Sequence, residues 1–251
     1  MGSTTVSKSV FIFITFIFIG FVWYSHQVTF GILQTKFPDP NSYTFLESPY
    51  LYFYLHLFTF VPVFLLSFDK KVAFYKTWKY LFPAIFIVGV FFILWDVIFT
   101  TKGVWGFNED YVTGFKIFHL PIEEWLFFVT VPFACVFIYE CLIAYFPNDI
   151  FKNIEKGISW ILIGLFLLVA VLNWDKLYSF SASFLAGLLL IYCKFFISKP
   201  FLSRFYGAFL ISLIPFLLLN GVLTGGFTRE PVVMYNPEEF LGIRCLSLIH
   251  I

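Results

Sequence analysis

The chain has 251 residues, of which 60% are hydrophobic, 24% aromatic and only 12% charged, with a formal net charge of +1. A soluble domain carries about 25% charged residues and under half apolar ones, so a soluble globular fold is excluded. The 16 basic residues are scattered rather than gathered on one face, which excludes a nucleic-acid surface.

What remains is an integral membrane protein, predicted as an all-α polytopic helix bundle. A spanning helix needs about 20 mostly apolar residues. Seven stretches qualify: 9–30, 50–68, 79–100, 122–146, 157–174, 177–198 and 206–224. The first follows Lys8 and lacks a small-x-small cleavage site, so it is read as an uncleaved anchor rather than a signal peptide. The organisation expected is an anchor and loop over 1–46, a first repeat over 47–146 and a second over 147–251.

With the N-terminus inside, the inner loops hold ten basic residues: Lys8, Lys70, Lys71, Lys76, Lys79, Lys152, Lys156, Lys194, Lys199 and Arg204. The outer loops hold six: Lys36, Lys102, Lys116, Lys176, Arg229 and Arg244. This bias orients the chain as a multi-pass protein of the cell inner membrane, embedded in its lipid.

Two outer loops resemble each other. Loop 101–118 has glycines at 103, 106 and 114, and loop 225–243 has a similar length. Each follows an apolar span with one polar residue near its end, Asp96 in FFILWDVIFT and Asn220 in FLLLNGVLTG. From Asp96 to Pro121 is 25 residues, and the same step from Asn220 reaches Cys245. The pattern predicts a parallel internal repeat with both loops on one side of the membrane.

Four acids lie in or at the edge of spans: Asp96, Glu123, Glu124 and Glu140. A carboxylate near the bilayer centre costs about 2.5–3.5 kcal/mol or more, so each points first to a functional site. In HLPIEEWLFF, Pro121 opens a helix and sets Glu123 and Glu124 in its first turn. Acids there are favoured by the helix dipole in any protein, so capping and proton transfer both stay open. Adjacent helical residues point about 100° apart, so at most one of the two faces a bundle centre squarely. Glu140 is read as snorkelling or paired with the basic inner loops. His56 and His119 are read as hydrogen-bonded packing residues, and the four cysteines as small apolar side chains. A few of the many rings are expected to line a cavity and to stabilise a cation through their faces.

The chain has no GxGxxG after a strand, no Walker loop, no HExxH, no GxSxG and no DxxxD pair. Its cysteines and histidines lack metal spacing, so neither a metal nor a cofactor is predicted.

The stretches DVIFTTKGVWGFNEDYVTG (96–114) and PIEEWLFFVTVPFACVFIYECL (121–142) resemble the lycopene cyclase domain of bacteria, archaea and fungi. NGVLTGGFTREPVVMYNPEEFLGIR (220–244) resembles the second domain of the same family. These are flavin-free membrane enzymes found as tandem fusions or heterodimers. The resemblance implies cyclisation of the open ψ-ends of lycopene and related linear carotenoids to β-rings. It implies a second cyclase subunit or a homo-oligomer as a possible partner. It also maps the family's P-x-E-(E/D) motif onto Pro121, Glu123 and Glu124. The residues expected to carry the chemistry are Glu123 or Glu124 as acid, with the other, or Asp96, holding or accepting a proton. Trp105, Phe107, Trp125 and Asn220 are expected to meet the substrate.

The reaction fits the residue types without a redox cofactor. A terminal alkene is protonated, the tertiary cation is attacked by a neighbouring double bond, and a proton is removed. This needs a dry acid, a base, aromatic walls and an apolar chamber. The family pattern implies a second P-x-E-(E/D) motif and an eighth helix beyond Arg244. The closing LSLIHI also equals the translation of CTGTCTCTTATACACATC, a transposon end used in sequencing libraries. An artefactual truncation is therefore expected, with little or no activity from this chain alone. Two rival readings are a non-catalytic carotenoid-binding or transport bundle, which uses its acids only as caps, and a magnesium-dependent prenyltransferase-like enzyme.

Overall fold

A computed structural model describes residues 46–197, 201–240 and the backbone of 244–245 and 249–250. Six helices dominate it: α1 Leu51–Leu66, α2 Trp78–Thr101, α3 Ile122–Tyr145, α4 Glu155–Leu172, α5 Leu177–Phe196 and α6 Leu202–Leu223. Five of them are long and apolar enough to cross a membrane. The sixth, α1, has 16 residues and falls short of the expected 50–68 span. At 1.5 Å per residue it reaches about 24 Å, against a hydrocarbon core of about 30 Å. The expected span 9–30 and the side chains of the closing LSLIHI lie outside the described residues.

Four of the helices keep a proline inside them: Pro62 in α1, Pro83 in α2, Pro132 in α3 and Pro215 in α6. Membrane helices tolerate this because neighbouring helices and side chains re-satisfy the freed backbone groups. Helix α3 packs against α1, α2 and α6, while α4 and α5 form a hairpin of their own. In that hairpin Gly187 lets the helices approach closely, since a Cβ there would lie 3.1 Å from Leu167 Cδ2. Large apolar side chains such as Phe86, Ile161 and Val171 point outward, as a lipid-facing surface requires.

The loops form two ends. At one, Ser203 Oγ donates to Asp149 Oδ2 at 2.6 Å and the Tyr145 hydroxyl donates to Asp69 Oδ1 at 2.9 Å. At the other, β1 (Trp105–Phe107) pairs antiparallel with a strand from the second loop, β4 (Val233–Tyr235). A two-residue hairpin, β2 (Lys116–Ile117) with β3 (Leu120–Pro121), leads into α3. Beyond β4, β5 (Arg244–Cys245) pairs with β6 (Ile249–His250).

The β1–β4 ladder joins equivalent pieces of chain. Its register is Trp105 to Tyr235, Gly106 to Met234 and Phe107 to Val233, a two-fold arrangement about the middle pair. Asn108 N–H donates to Val232 O and Asn236 N–H donates to Val104 O, both at 2.9 Å. Each asparagine side chain then accepts from the backbone two residues on and caps a short 3₁₀ turn. The two loops therefore lie at one end of the bundle, where the expected parallel repeat puts them. The repeat's spacing differs from the sequence reading. Asp96 and Asn220 are 124 apart, but Trp105 and Val233 are 128 apart, so four extra residues sit between α6 and β4. They are taken up in a turn where Gly225 adopts φ +84 and sits against Pro231.

Candidate active site

A cavity of about 750 Å³ opens between α2, α3, α5 and α6, with β1 and β4 at its loop end. The apolar runs that make the spans also build its walls. On α2, Phe91, Phe92 and Trp95 precede Asp96, and on α3, Phe127 and Phe128 follow Glu124 by one turn. Phe92 and Phe128 stack across the two helices at 6.2 Å. Trp95, Phe99 and Trp105 form a continuous stack, with centroids 4.9 and 5.1 Å apart.

Two carboxyls face this aromatic space, Asp96 and Glu124, and their charges interact. Each has one oxygen fixed. Trp105 Nε1 donates to Asp96 Oδ1 at 2.6 Å, and Thr100 Oγ1 donates to the same oxygen at 3.2 Å. The Tyr52 hydroxyl donates to Glu124 Oε2 at 2.6 Å. The two side chains also hydrogen-bond to each other. Asp96 itself is 2% exposed, so water is excluded from the group that most needs compensation.

Tyr52 is held in turn. Its ring stacks on His56 at 4.9 Å, and His56 Nδ1 lies 3.0 Å from Thr130 Oγ1 of α3. His56 is thus a hydrogen-bonded packing residue, as its sequence context predicts.

The structure separates the two adjacent glutamates. Glu124 faces the cavity, whereas Glu123 is fully buried behind it. Glu123 Oε1 accepts from the Thr113 backbone N–H at 2.8 Å, and its Oε2 has no hydrogen-bond partner. The division follows from the 100° step between neighbours on a helix. Pro121 is the residue preceding the helix rather than its first, at φ −62 and ψ 150, and both glutamates occupy the first turn.

Trp105, Phe107 and Asn220 line the cavity. Trp125 does not. Its indole points to the β2–β3 hairpin, with Nε1 3.4 Å from Ile117 O and the ring 6.3 Å from Phe118. Being one residue past Glu124 turns it off the cavity face by the same 100°.

Three tyrosines escape sequence reasoning: Tyr52, Tyr178 and Tyr235, all in the lining. A signal for them exists. Leu-Tyr pairs at 51–52 and 177–178 open α1 and α5, 44 residues before Asp96 and 42 before Asn220. Tyr235 occupies in VVMYN the place of Phe107 in VWGFN. Burial first, and the charge of Glu124 next, push the Tyr235 hydroxyl well above its ordinary pKa, so it stays neutral.

Fold and site define a polytopic membrane protein with a paired-acid, aromatic cavity and a two-fold repeat. The chain belongs to the lycopene cyclase family, whose model matches residues 49–142 and 175–248. The two matched segments cover α1 to α3 and α5 to β5, the halves that the β1–β4 ladder joins. No curated protein and no solved structure matches the chain. Membership implies a carotenoid cyclase, an enzyme with a carotenoid substrate.

Proposed function

We propose that the protein is a lycopene β-cyclase of the cell inner membrane, which closes the ψ-end of lycopene by proton transfer alone. The observation that carries this reading is the interacting pair Asp96 and Glu124 inside an aromatic cavity. Two carboxyls in contact in an apolar space repel as anions, so the pair keeps a proton available to an alkene. The rings of Trp95 and Trp105 in the cavity wall, braced by Phe99 between them, suit a passing carbocation, which carries no hydrogen-bonding group of its own. The number of carbons is unchanged and no electron is transferred, so the reaction is an isomerisation.

Glu123 supports this site from behind by holding the Thr113 loop against the start of α3. Trp105, Phe107 and Asn220 form its substrate-facing walls. A second cyclase subunit or another copy of the chain fits the proposal as a partner.

The test is to express the gene that encodes the chain in a host that accumulates lycopene and to analyse the pigment. Conversion to β-ring carotenoids is expected. Unchanged lycopene, with the protein present in the membrane and a second cyclase subunit co-expressed, rejects the proposal in favour of a binding or transport role.

A further inference from the structure

The acid pair is not symmetric, and its asymmetry assigns the two proton steps. Asp96 Oδ1 receives two donors, from Trp105 and Thr100, while Glu124 Oε2 receives one, from Tyr52. Donors stabilise a carboxylate more than a carboxylic acid. Of the two groups, Asp96 is therefore the better anion and Glu124 the better proton carrier. The two side chains also hydrogen-bond to each other, which places Asp96 where a proton can pass between it and Glu124 at the cavity wall.

We infer that Glu124, steadied by Tyr52, donates the proton, and that Asp96, steadied by Trp105 and Thr100, removes one and thereby fixes the type of ring. The inference rests on the cyclase reading above. In atoms, the Glu124 proton adds to the inner, hydrogen-bearing carbon of the terminal alkene and leaves a tertiary cation on the outer carbon with the two methyl groups. The next double bond attacks it, a carbon–carbon bond closes the six-membered ring, and the charge moves to a ring tertiary carbon. Three neighbouring carbons carry a proton that this cation can lose: the new ring junction, the ring methylene opposite, and the methyl group. Loss from the junction gives a β-ring, from the methylene an ε-ring, and from the methyl an exocyclic γ-ring. The base that stands nearest decides among them. After loss to Asp96, the proton returns to Glu124 within the interacting pair, so each turnover restores the starting state with no net consumption.

Tyr52 and Trp105 are positioning residues here, and their effects differ in kind. Tyr52→Phe keeps the ring stacked on His56 and removes the hydroxyl. It loosens the donor, so ring formation slows about ten- to hundredfold while every ring remains β. Trp105→Phe keeps an aromatic wall and removes the indole N–H. It loosens the base, so ε- and γ-rings appear beside β-rings. Asp96→Asn removes the base, and any rings it still forms shift away from β in the same way. A merely structural role for Trp105 lowers the yield but leaves the ring type unchanged.

The experiment is expression of each variant in the lycopene-accumulating host, with membrane protein quantified and ring isomers separated by chromatography. Mixed rings from Trp105→Phe with all-β rings from Tyr52→Phe are expected. β-Rings alone from Trp105→Phe, at any rate, overturn the assignment of Asp96, and altered rings from Tyr52→Phe overturn the division of roles. Should Trp105→Phe fail to accumulate, Thr100→Val removes the other donor to Asp96 Oδ1 and is read in the same way. Failure of the parent protein to form any ring, with a second cyclase subunit co-expressed, is a separate result, since it rejects the cyclase reading before the variants are compared.

Discussion

The first repeat brings Tyr52, Asp96, Trp105 and Phe107 to the cavity, and the second brings Tyr178, Asn220, Val233 and Tyr235. The scaffold is shared: an opening Leu-Tyr, a polar residue near a helix end, and a strand paired across a two-fold with its counterpart. The chemistry is not. Asp96 is a carboxyl where Asn220 is an amide, and Trp105 donates a side-chain N–H where the side chain of Val233 has none to give. Among the described residues, both cavity carboxyls, Asp96 and Glu124, belong to the first repeat. Among the described residues, a duplicated frame supplies shape on both sides of the chamber, while the cavity carboxyls stand on one.

That one-sidedness predicts unequal effects for equivalent substitutions. Glu124→Gln preserves shape and removes the exchangeable proton. It should lower ring formation by at least about a hundredfold, the scale of one acid–base group, with the protein still in the membrane. Glu123→Gln keeps an oxygen to accept from Thr113 and touches no cavity surface, so its loss should be far smaller. Equal losses from the two variants, read as pigment per unit of membrane protein, would remove the distinction drawn between the neighbouring glutamates. The tyrosines sharpen the same comparison. Tyr178→Phe should change turnover by no more than about twofold, because its ring lines the wall without a bond to either acid, whereas Tyr52→Phe acts directly on Glu124.

Much of this was legible in the sequence because the bilayer imposes length and apolarity on each span. Five long helices fall where hydropathy places them. Asp96 could be singled out because an acid within a span needs a reason. The orientation of Glu123 against Glu124 was not legible, since both satisfy the same first-turn rule. Nor was Trp125, whose ring chemistry suits a substrate wall but whose place on the helix turns it to the hairpin. Tyr52 was hidden for another reason. It sits in the first helix of its repeat and acts through a hydrogen bond across 72 residues, which no local pattern records.

The ladder between the repeats offers a test of a different kind. Gly225 adopts φ +84, and a Cβ there would stand 3.1 Å from Pro231 N. Gly225→Ala meets both a left-handed backbone and a rigid neighbour, so it should cost about 1–2 kcal/mol and displace β4 from β1. Thermal unfolding in detergent should report a lower midpoint. Ring formation should fall with it, because β1 carries Trp105. By contrast Gly103→Ala, at φ +72 with open space around it, should cost only the backbone term. A parent-like midpoint for Gly225→Ala would show that the four-residue insertion turn does not hold the repeats in register.

The smallest expected effect concerns the contact that ties the first loop to the chain before α1. The Tyr111 hydroxyl donates to Glu47 Oε2 at 2.6 Å, and Glu47 Oε1 accepts from the Arg229 N–H at 3.1 Å. Glu47 thus bridges the two loops from a position just ahead of α1. Burial, and then the bond to Glu47, push the Tyr111 hydroxyl up to about 12. A group whose folded pKa lies above its unfolded value near 10 adds stability that is complete below the unfolded value. That stability is lost as pH rises through the folded one. Tyr111→Phe keeps the ring in its cluster and should cost about 1 kcal/mol at neutral pH. It should also flatten part of the alkaline slope between about pH 10 and 12, leaving the share that comes from Tyr235. Unfolding midpoints of parent and variant should therefore converge as the pH is raised across that window. A gap that stays constant would assign the loss to packing and not to the hydroxyl's bond with Glu47.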